Sequence, residues 1–262
     1  MTIKRNTNMK TPGSIGKWAV TSLLLNAAAV AFGQVGSSNS SAALEVARTH
    51  ENPSVRTAVC VNGISLAVSY DGKLLTGSNA GDWKVVRLTC KAFFRGIAYG
   101  DGLFVLVGGS YIDQPGVILT SRDGTNWTLR RSGNLANLYG VTHGNGIFVA
   151  VGDNHAVLAS KNGIIWKERT PVTSNTLLSS IAFGNGAFVA VGDSGTVLTS
   201  TDTIHWQARN SGTSAYLSKV RYEAGAFVAT RSKDLPAYDS RASRGFRNEP
   251  SAISVVSVIL DL

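Results

Sequence analysis

Charge is scarce in this 262-residue chain: Asp, Glu, Lys and Arg together make up 16 per cent, against about 25 per cent in ordinary globular proteins. That excludes a coiled coil or a charged helical array, both of which depend on charged faces. Two cysteines, Cys60 and Cys90, are too few for a zinc ribbon, and neither sits in a Cys-x-x-Cys pair. The four histidines, His50, His143, His155 and His205, fall at no metal-ligand spacing. No metal is expected. The chain also lacks a Gly-x-Ser-x-Gly elbow, a phosphate-cradling Gly-x-x-x-x-Gly-Lys loop and a dinucleotide fingerprint. No cofactor is expected either. With only six prolines and 44 per cent hydrophobic residues, the chain has enough apolar side chain to offset the entropy of folding.

The formal charge of +9 is spread without a dense basic stripe, so nucleic acid is not an expected partner. Four of the basic residues, Lys4, Arg5, Lys10 and Lys17, precede the apolar run Trp18 to Gly33. Small residues at Ala31 and Gly33 stand three and one before a cut at Gln34, so residues 1–33 read as a secretion signal peptide. The run is interrupted by Asn26 and is short for a span of ~20 residues. Once the signal is removed, no stable membrane span is expected. The protein is therefore expected to be secreted, periplasmic or at the cell surface. Residues 34–56, with Ser and Gly between 36 and 41, read as a linker.

What the chain has in quantity is glycine, 28 residues, and the glycines recur. The stretch Ser180 to Trp206 matches Gly140 to Trp166 without a gap, at an offset of 40. Gly96 to Trp127 matches after an insertion, Ser110 to Pro115, and Thr57 to Trp83 matches gaplessly. A fifth copy from Lys219 holds through Ala229 and then loses register. The repeat units are 57–93, 96–133, 140–170, 180–212 and a partial 219–230. Residues 231–262 form an irregular tail, in which Ser254 to Leu260 has the pattern of a closing strand.

Within each copy apolar residues alternate with period two, which places successive side chains on opposite faces of extended strands. Asn62-Gly63, Asp101-Gly102, Asn145-Gly146 and Asn185-Gly186 separate two such runs; these are the pairs preferred in two-residue hairpins with positive φ. Asp71-Gly72 and Ser194-Gly195 mark a second reversal, and Asp123-Gly124 and Asn162-Gly163 a third. Three reversals give four short strands every ~40 residues, the signature of a β-propeller blade. An all-β propeller of four-stranded antiparallel blades, four full repeats plus a degenerate fifth, is therefore predicted. An up-and-down barrel would not need the unit to recur, and a β-solenoid has shorter repeats.

The third reversal carries a further motif: Ser121-Arg-Asp123-Gly124-Thr-Asn-Trp127, Ser160-Lys-Asn162-Gly163-Ile-Ile-Trp166 and Ser200-Thr-Asp202-Thr-Ile-His-Trp206, with only Ser78, Gly81 and Trp83 kept in the first copy. It resembles the Asp-box of sialidase-type (BNR) repeats and of photosystem II stability and assembly factor-like propellers. The resemblance covers 57 to about 230 and implies a propeller whose boxes lie on the outer rim, away from the ligand face. The aspartate or asparagine is expected to accept backbone amides of its own turn, while the tryptophan fills space between sheets. This box is one residue shorter than the usual sialidase form, with Asn162 in place of an acid and Thr203 in place of a glycine.

Sialidase catalysis in the resembled enzymes needs an arginine cluster, a tyrosine with a glutamate partner, and an acid. None of Arg95, Arg122, Arg130, Arg131, Arg169, Arg209 or Arg221 falls in a counterpart motif, so no catalytic residue is assigned. Asp153 and Asp193 occupy equivalent turns and point first to repeat architecture. His143 stands where other copies carry an aromatic, as at Tyr99 and Phe183, and reads as a strand residue. Tyr111 and Asp113 in the insertion are candidate ligand contacts, because loops on rigid scaffolds often carry recognition. Cys60 and Cys90 are either a disulfide in an oxidising compartment or two free thiols. The expected function is an exported, non-catalytic propeller that binds a protein or glycan, oligomeric if its ring is incomplete. A sialidase-like hydrolase and an assembly factor for a membrane complex are the alternatives.

Overall fold

The computed structural model describes residues 55–77, 83–90, 92–110, 116–131, 136–169, 176–231 and the backbone of 257–260. These form strands and tight turns; among the described residues no helix is long and apolar enough to cross a membrane. The first sheet is β1 (Val55–Val61), β2 (Ile64–Ser69), β3 (Leu74–Gly77) and β4 (Lys84–Val85). The second is β5 (Phe93–Gly100), β6 (Leu103–Gly109), β7 (Val117–Ser121) and β8 (Thr128–Arg131). In the third sheet, β9 (Leu138–Gly144) and β10 (Ile147–Gly152) are followed by β11 (Val157–Ser160) and β12 (Lys167–Glu168). The fourth comprises β13 (Leu178–Gly184), β14 (Ala187–Gly192), β15 (Val197–Ser200) and β16 (Gln207–Ala208).

A fifth sheet holds three strands, β17 (Leu217–Glu223), β18 (Ala226–Arg231) and β19 (Ser257–Leu260), the last paired antiparallel to β18 with Val228 opposite Ile259. Every pairing is between chain neighbours and antiparallel, as sequential hairpins dictate. The chain is an all-β propeller. Its innermost strands β1, β5, β9, β13 and β17 pack side by side in that order, whereas β17 and β1 make no comparable contact.

Alternation explains how the sheets stack. Along β10, Phe148 and Ala150 face the second sheet, together with Val105, Val107 and Ile118. Val149 and Val151 face the fourth, together with Leu178, Ile181 and Phe188. These side chains are at most 7 per cent exposed, and each buried Val, Leu or Phe contributes roughly 1.5–3 kcal/mol. A single sheet would leave both faces wet, so stacking is what makes the repeat stable.

Glycine sets how closely the innermost strands approach. A Cβ on Gly100, Gly144 or Gly184 would stand 2.1, 2.2 or 2.1 Å from a ring atom of His143, Phe183 or Tyr222, each on the next sheet. The same rings pack on Phe148, Phe188 and Phe227 of their own hairpins, with centroids 4.5–4.8 Å apart. His143 is thus an aromatic spacer of the strand, and its Nε2 pairs with Asp101 Oδ2 at 3.0 Å across the seam. The hairpin residues Asn62, Asp101, Asn145 and Asn185 all take positive φ, 45–51°, ahead of a positive-φ glycine, the geometry that selected those pairs.

Candidate functional site

The two ends of the strands are chemically different. At one end lie the hairpins within each sheet and the Ser-x-Asp/Asn turns. At the other lie the second reversals and the links between sheets, stitched by backbone hydrogen bonds. Asp153 N donates to Asn137 O and His155 N to Thr176 O, so one turn ties the links on either side of it. Asp193 and Gly195 repeat this with Leu177 and Ala215.

The Ser-x-Asp/Asn turns close on themselves. Asp123 Oδ1 accepts Thr125 N and Asn126 N at 2.8 Å, Asn162 Oδ1 accepts Ile164 N and Ile165 N at 3.0 Å, and Asp202 Oδ1 accepts Ile204 N and His205 N at 2.8 Å. Ser121, Ser160 and Ser200 each donate Oγ to the acid or amide two residues on. Trp127, Trp166 and Trp206 donate Nε1 to the carbonyl of Gly124, Gly163 and Thr203. The Asp123 and Asp202 carboxyls are held well below the ordinary carboxylate range, first by backbone amides of Asn126 and His205 respectively. These hydrogen bonds all close within the turn itself, so these residues hold the turn. In the first copy the buried Trp83 Nε1 has no partner, and Ser78 and Gly81 lie outside the described residues.

The opposite end has a feature absent from the repeat reading. Every innermost strand carries a β-bulge at the same position, where Arg56, Arg95, Tyr139, Ser179 and Ser218 are each skipped in the register with the adjoining strand. A bulge re-aims its extra residue, and five of them at one level build a mouth from five equivalent side chains. The polypeptide spends them differently. Ser179 Oγ donates to Val191 O of its own sheet and to Leu217 O of the next, tying the two together, while Ser218 Oγ donates to Thr230 O within the fifth sheet. Arg56, Arg95 and Tyr139 carry the chemistry.

Arg56 Cζ lies 5.1 Å from the centroid of the exposed Tyr70 ring, and Arg95 Cζ 6.0 Å from that of Tyr139. Burial depresses the Arg56 pKa first, and the neighbouring Arg95 charge adds to it. Arg56 Nε is buried without a hydrogen-bond partner. Tyr216, just before β17, is hydrogen-bonded to Ser179 and pushed up in pKa, chiefly by burial. On the third sheet, Asp153 Oδ2 accepts Asn137 Nδ2 at 3.0 Å and Tyr139 OH at 3.4 Å. Asp193 is raised in pKa by burial and, secondarily, by the charge of Asp153, against a hydrogen bond from the Leu177 backbone. Phe93, 46 per cent exposed, packs on Gly72 beside the same mouth.

The sequence reading assigned none of these. The signal was present as Arg56 and Arg95 one residue ahead of the repeat starts Thr57 and Gly96, but a bulge is invisible in an alternation pattern. The insertion residues Tyr111 and Asp113 lie outside the described residues; their flanks, Ser110 and Gly116, join β6 to β7 at this end. Cys60 and Cys90 are free thiols. Cys60 sits at the hairpin end of β1, donating to Ser65 Oγ at 3.2 Å, and Cys90 precedes β5 at the linking end, packed between the first two sheets. Cys60 and Cys90 thus stand at opposite ends of the sheets. Among the described residues no three His, Cys, Asp or Glu side chains gather as a metal site.

No family model matches the chain, and no curated protein matches it. Solved structures do. YCF48 bound to D1 peptide aligns with a TM-score of 0.52 at 16 per cent identity, over 68 per cent of this chain and 62 per cent of that one. The nidogen/laminin complex gives 0.54 at 14 per cent identity over 68 and 73 per cent. Catalytically inactive virginiamycin B lyase from Staphylococcus aureus with quinupristin gives 0.58 at 12 per cent over 70 and 64 per cent. The chain thus spans a little over three fifths of the length of YCF48. What these likenesses share with this chain is the propeller fold.

Proposed function

We propose that this chain is an exported, non-catalytic binding propeller that holds a protein ligand at the mouth built from Arg56, Arg95, Tyr139 and Tyr216. The observation that carries this is Arg56: a half-buried guanidinium, destabilised by burial and by a like charge, with an unpaired Nε. A group in that state recovers interaction energy when an anion arrives. Around it stand Tyr70 at 55 per cent exposure and Phe93, and Arg with exposed aromatics is the composition of protein-binding hot spots. A structure of YCF48, one of the similar folds, holds a D1 peptide, which supports a protein partner over a glycan. The reading of the Ser-x-Asp/Asn turns as Asp-boxes and the export of the chain belong to the same proposal. Recovery of the exported protein with Gln34 at its amino terminus tests the second.

The test of the mouth is binding of an Asp/Glu-rich peptide by titration calorimetry at two salt concentrations. The expected result is binding that weakens with salt and falls at least tenfold in Arg56→Gln. Binding that Arg56→Gln leaves unchanged rejects the mouth as the site. A second reading, a sialidase-like hydrolase, has one observation behind it: two arginines and two carboxylates share this end of the fold. Asp153 and Asp193 are, however, engaged by Asn137, Tyr139 and the Leu177 backbone, which suits anchoring the links better than proton transfer. Release of fluorophore from a fluorogenic sialoside by the purified chain would reverse the order of the two readings.

A further inference from the structure

Once the Asp71–Lys73 ion pair at the first sheet's own second reversal is set aside, charge around the mouth is sorted by sheet. The first two sheets supply Arg56 and Arg95 at their bulges, while the third and fourth supply Asp153 and Asp193 at their second reversals. Two tyrosines stand between the halves. Tyr139 reaches from beside Arg95 to Asp153, and Tyr216 feels Arg56 and Arg95 on one side and Asp193 on the other. The halves do not neutralise each other: among the described residues Arg56, Asp153 and Asp193 take part in no ion pair. Like charges instead act together: the Arg95 charge adds to the cost of holding Arg56 charged, and the Asp153 charge adds to that of Asp193. An occupant carrying one charge relieves only one half. An occupant with both signs relieves both and meets repulsion from neither.

Resting on the reading of the mouth as a ligand site, we propose that its occupant is a dipolar peptide segment. Such a segment sets a carboxylate against Arg56 and Arg95 and a lysine or arginine side chain against Asp153 and Asp193. Specificity then comes from the acidic half. An all-acidic segment satisfies the arginines but is repelled by the aspartates, and an all-basic one meets the converse, which is how like-charge juxtaposition rejects wrong partners. The aspartates need no freedom to do this, since their link hydrogen bonds fix the charge in place.

The experiment uses the full chain and three labelled ten-residue peptides on a Gly/Ser background: one with a glutamate pair, one with a lysine pair, and one with glutamate and lysine a few residues apart. Fluorescence anisotropy is expected to rank the mixed peptide at least tenfold tighter than the acidic one, with the basic one weakest. Asp193→Asn is expected to remove that advantage while leaving the acidic peptide equal or tighter. Arg56→Gln is expected to weaken both the mixed and the acidic peptides. If Asp193→Asn disturbs folding, changing the peptide lysine to glutamine against the wild-type chain reads the same quantity. Equal affinity for mixed and acidic peptides, or a mixed peptide indifferent to Asp193→Asn and to loss of its lysine, overturns the dipolar occupant and leaves the mouth standing. Indifference of every peptide to Arg56→Gln overturns the mouth as well.

Discussion

The two ends of these sheets solve different problems with the same chain. At the hairpin end the third and fourth sheets repeat one solution in full, an Asn-Gly reversal, an aromatic ring laid over the preceding sheet's glycine and a Ser-x-Asp/Asn turn pinned by tryptophan, and the second sheet shares its Asp-Gly reversal and its turn. At the linking end the five bulges occupy equivalent positions, yet they carry Arg, Arg, Tyr, Ser and Ser. Where a position only has to hold the fold, the physics has one good answer and the repeat converges on it. Where backbone geometry is kept but side chains diverge, the position is free for recognition. The contrast predicts that damage at the hairpin end is read in stability, and damage at the mouth in binding.

The sharpest break is Trp166→Ala. Trp166 is 8 per cent exposed, sits in the core between the second and third sheets and donates to Gly163 O. Its loss is expected to cost about 3–5 kcal/mol, read as a large fall in denaturation midpoint. Arg56→Gln in the same assay should shift the midpoint little or upward, because it removes a repelled, half-buried charge. Next comes Gly184→Val, which drives a side chain into the Tyr222 ring on the following sheet. Overpacking of this kind costs roughly 1–3 kcal/mol, measured by chemical denaturation. A variant as stable as wild type would mean that the sheets do not approach as described.

These two sites also show what the sequence could reveal. Trp166 stood out because the demand on it is local and recurs, a turn pinned by an acceptor and a tryptophan; the gap that Gly184 leaves for Tyr222 is a property of the stacked sheets. Period-two alternation and the Asn-Gly pairs were enough to name the propeller and its four-strand unit. The mouth was not legible, because a bulge changes the direction of one side chain without changing the pattern around it. Asp153 and Asp193 were seen as equivalent turn residues, which they are, but sharing one face with Arg56 and Arg95 is a property of the stacked sheets. Nothing within a single repeat encodes it.

A gain of stability should also be available at the repeated end. Arg130 Nε donates to Thr120 Oγ1 at 2.9 Å and Arg209 Nε to Thr199 Oγ1 at 3.1 Å. The third sheet keeps the arginine, Arg169, but has Ala159 where its neighbours have threonine, and the buried Arg169 Nε has no partner. Ala159→Thr restores the missing acceptor and is expected to add about 1 kcal/mol. The double variant Ala159→Thr with Arg169→Met, measured by thermal denaturation, should erase the gain. A gain that survives it comes from strand propensity instead.

The smallest effect is in acid, and it separates three turns that look alike. Asp123 and Asp202 have carboxyl pKa values depressed by their own turn amides, whereas Asn162 makes the same bonds with an amide that does not titrate. A group depressed on folding gives stability that is present above its unfolded pKa, near 3.9, and is lost as pH falls towards the folded value. Both carboxylates are solvent-exposed, so the contribution is modest and salt-sensitive. Asp123→Asn and Asp202→Asn should each flatten the decline of stability below about pH 4, while Asn162→Asp should steepen it. Denaturation midpoints between neutral pH and the acid limb read the change. If Asn162→Asp leaves the slope unchanged, the third turn is not the equivalent of the other two, and the convergence of the hairpin end fails at the one position where the chain departs from an acid.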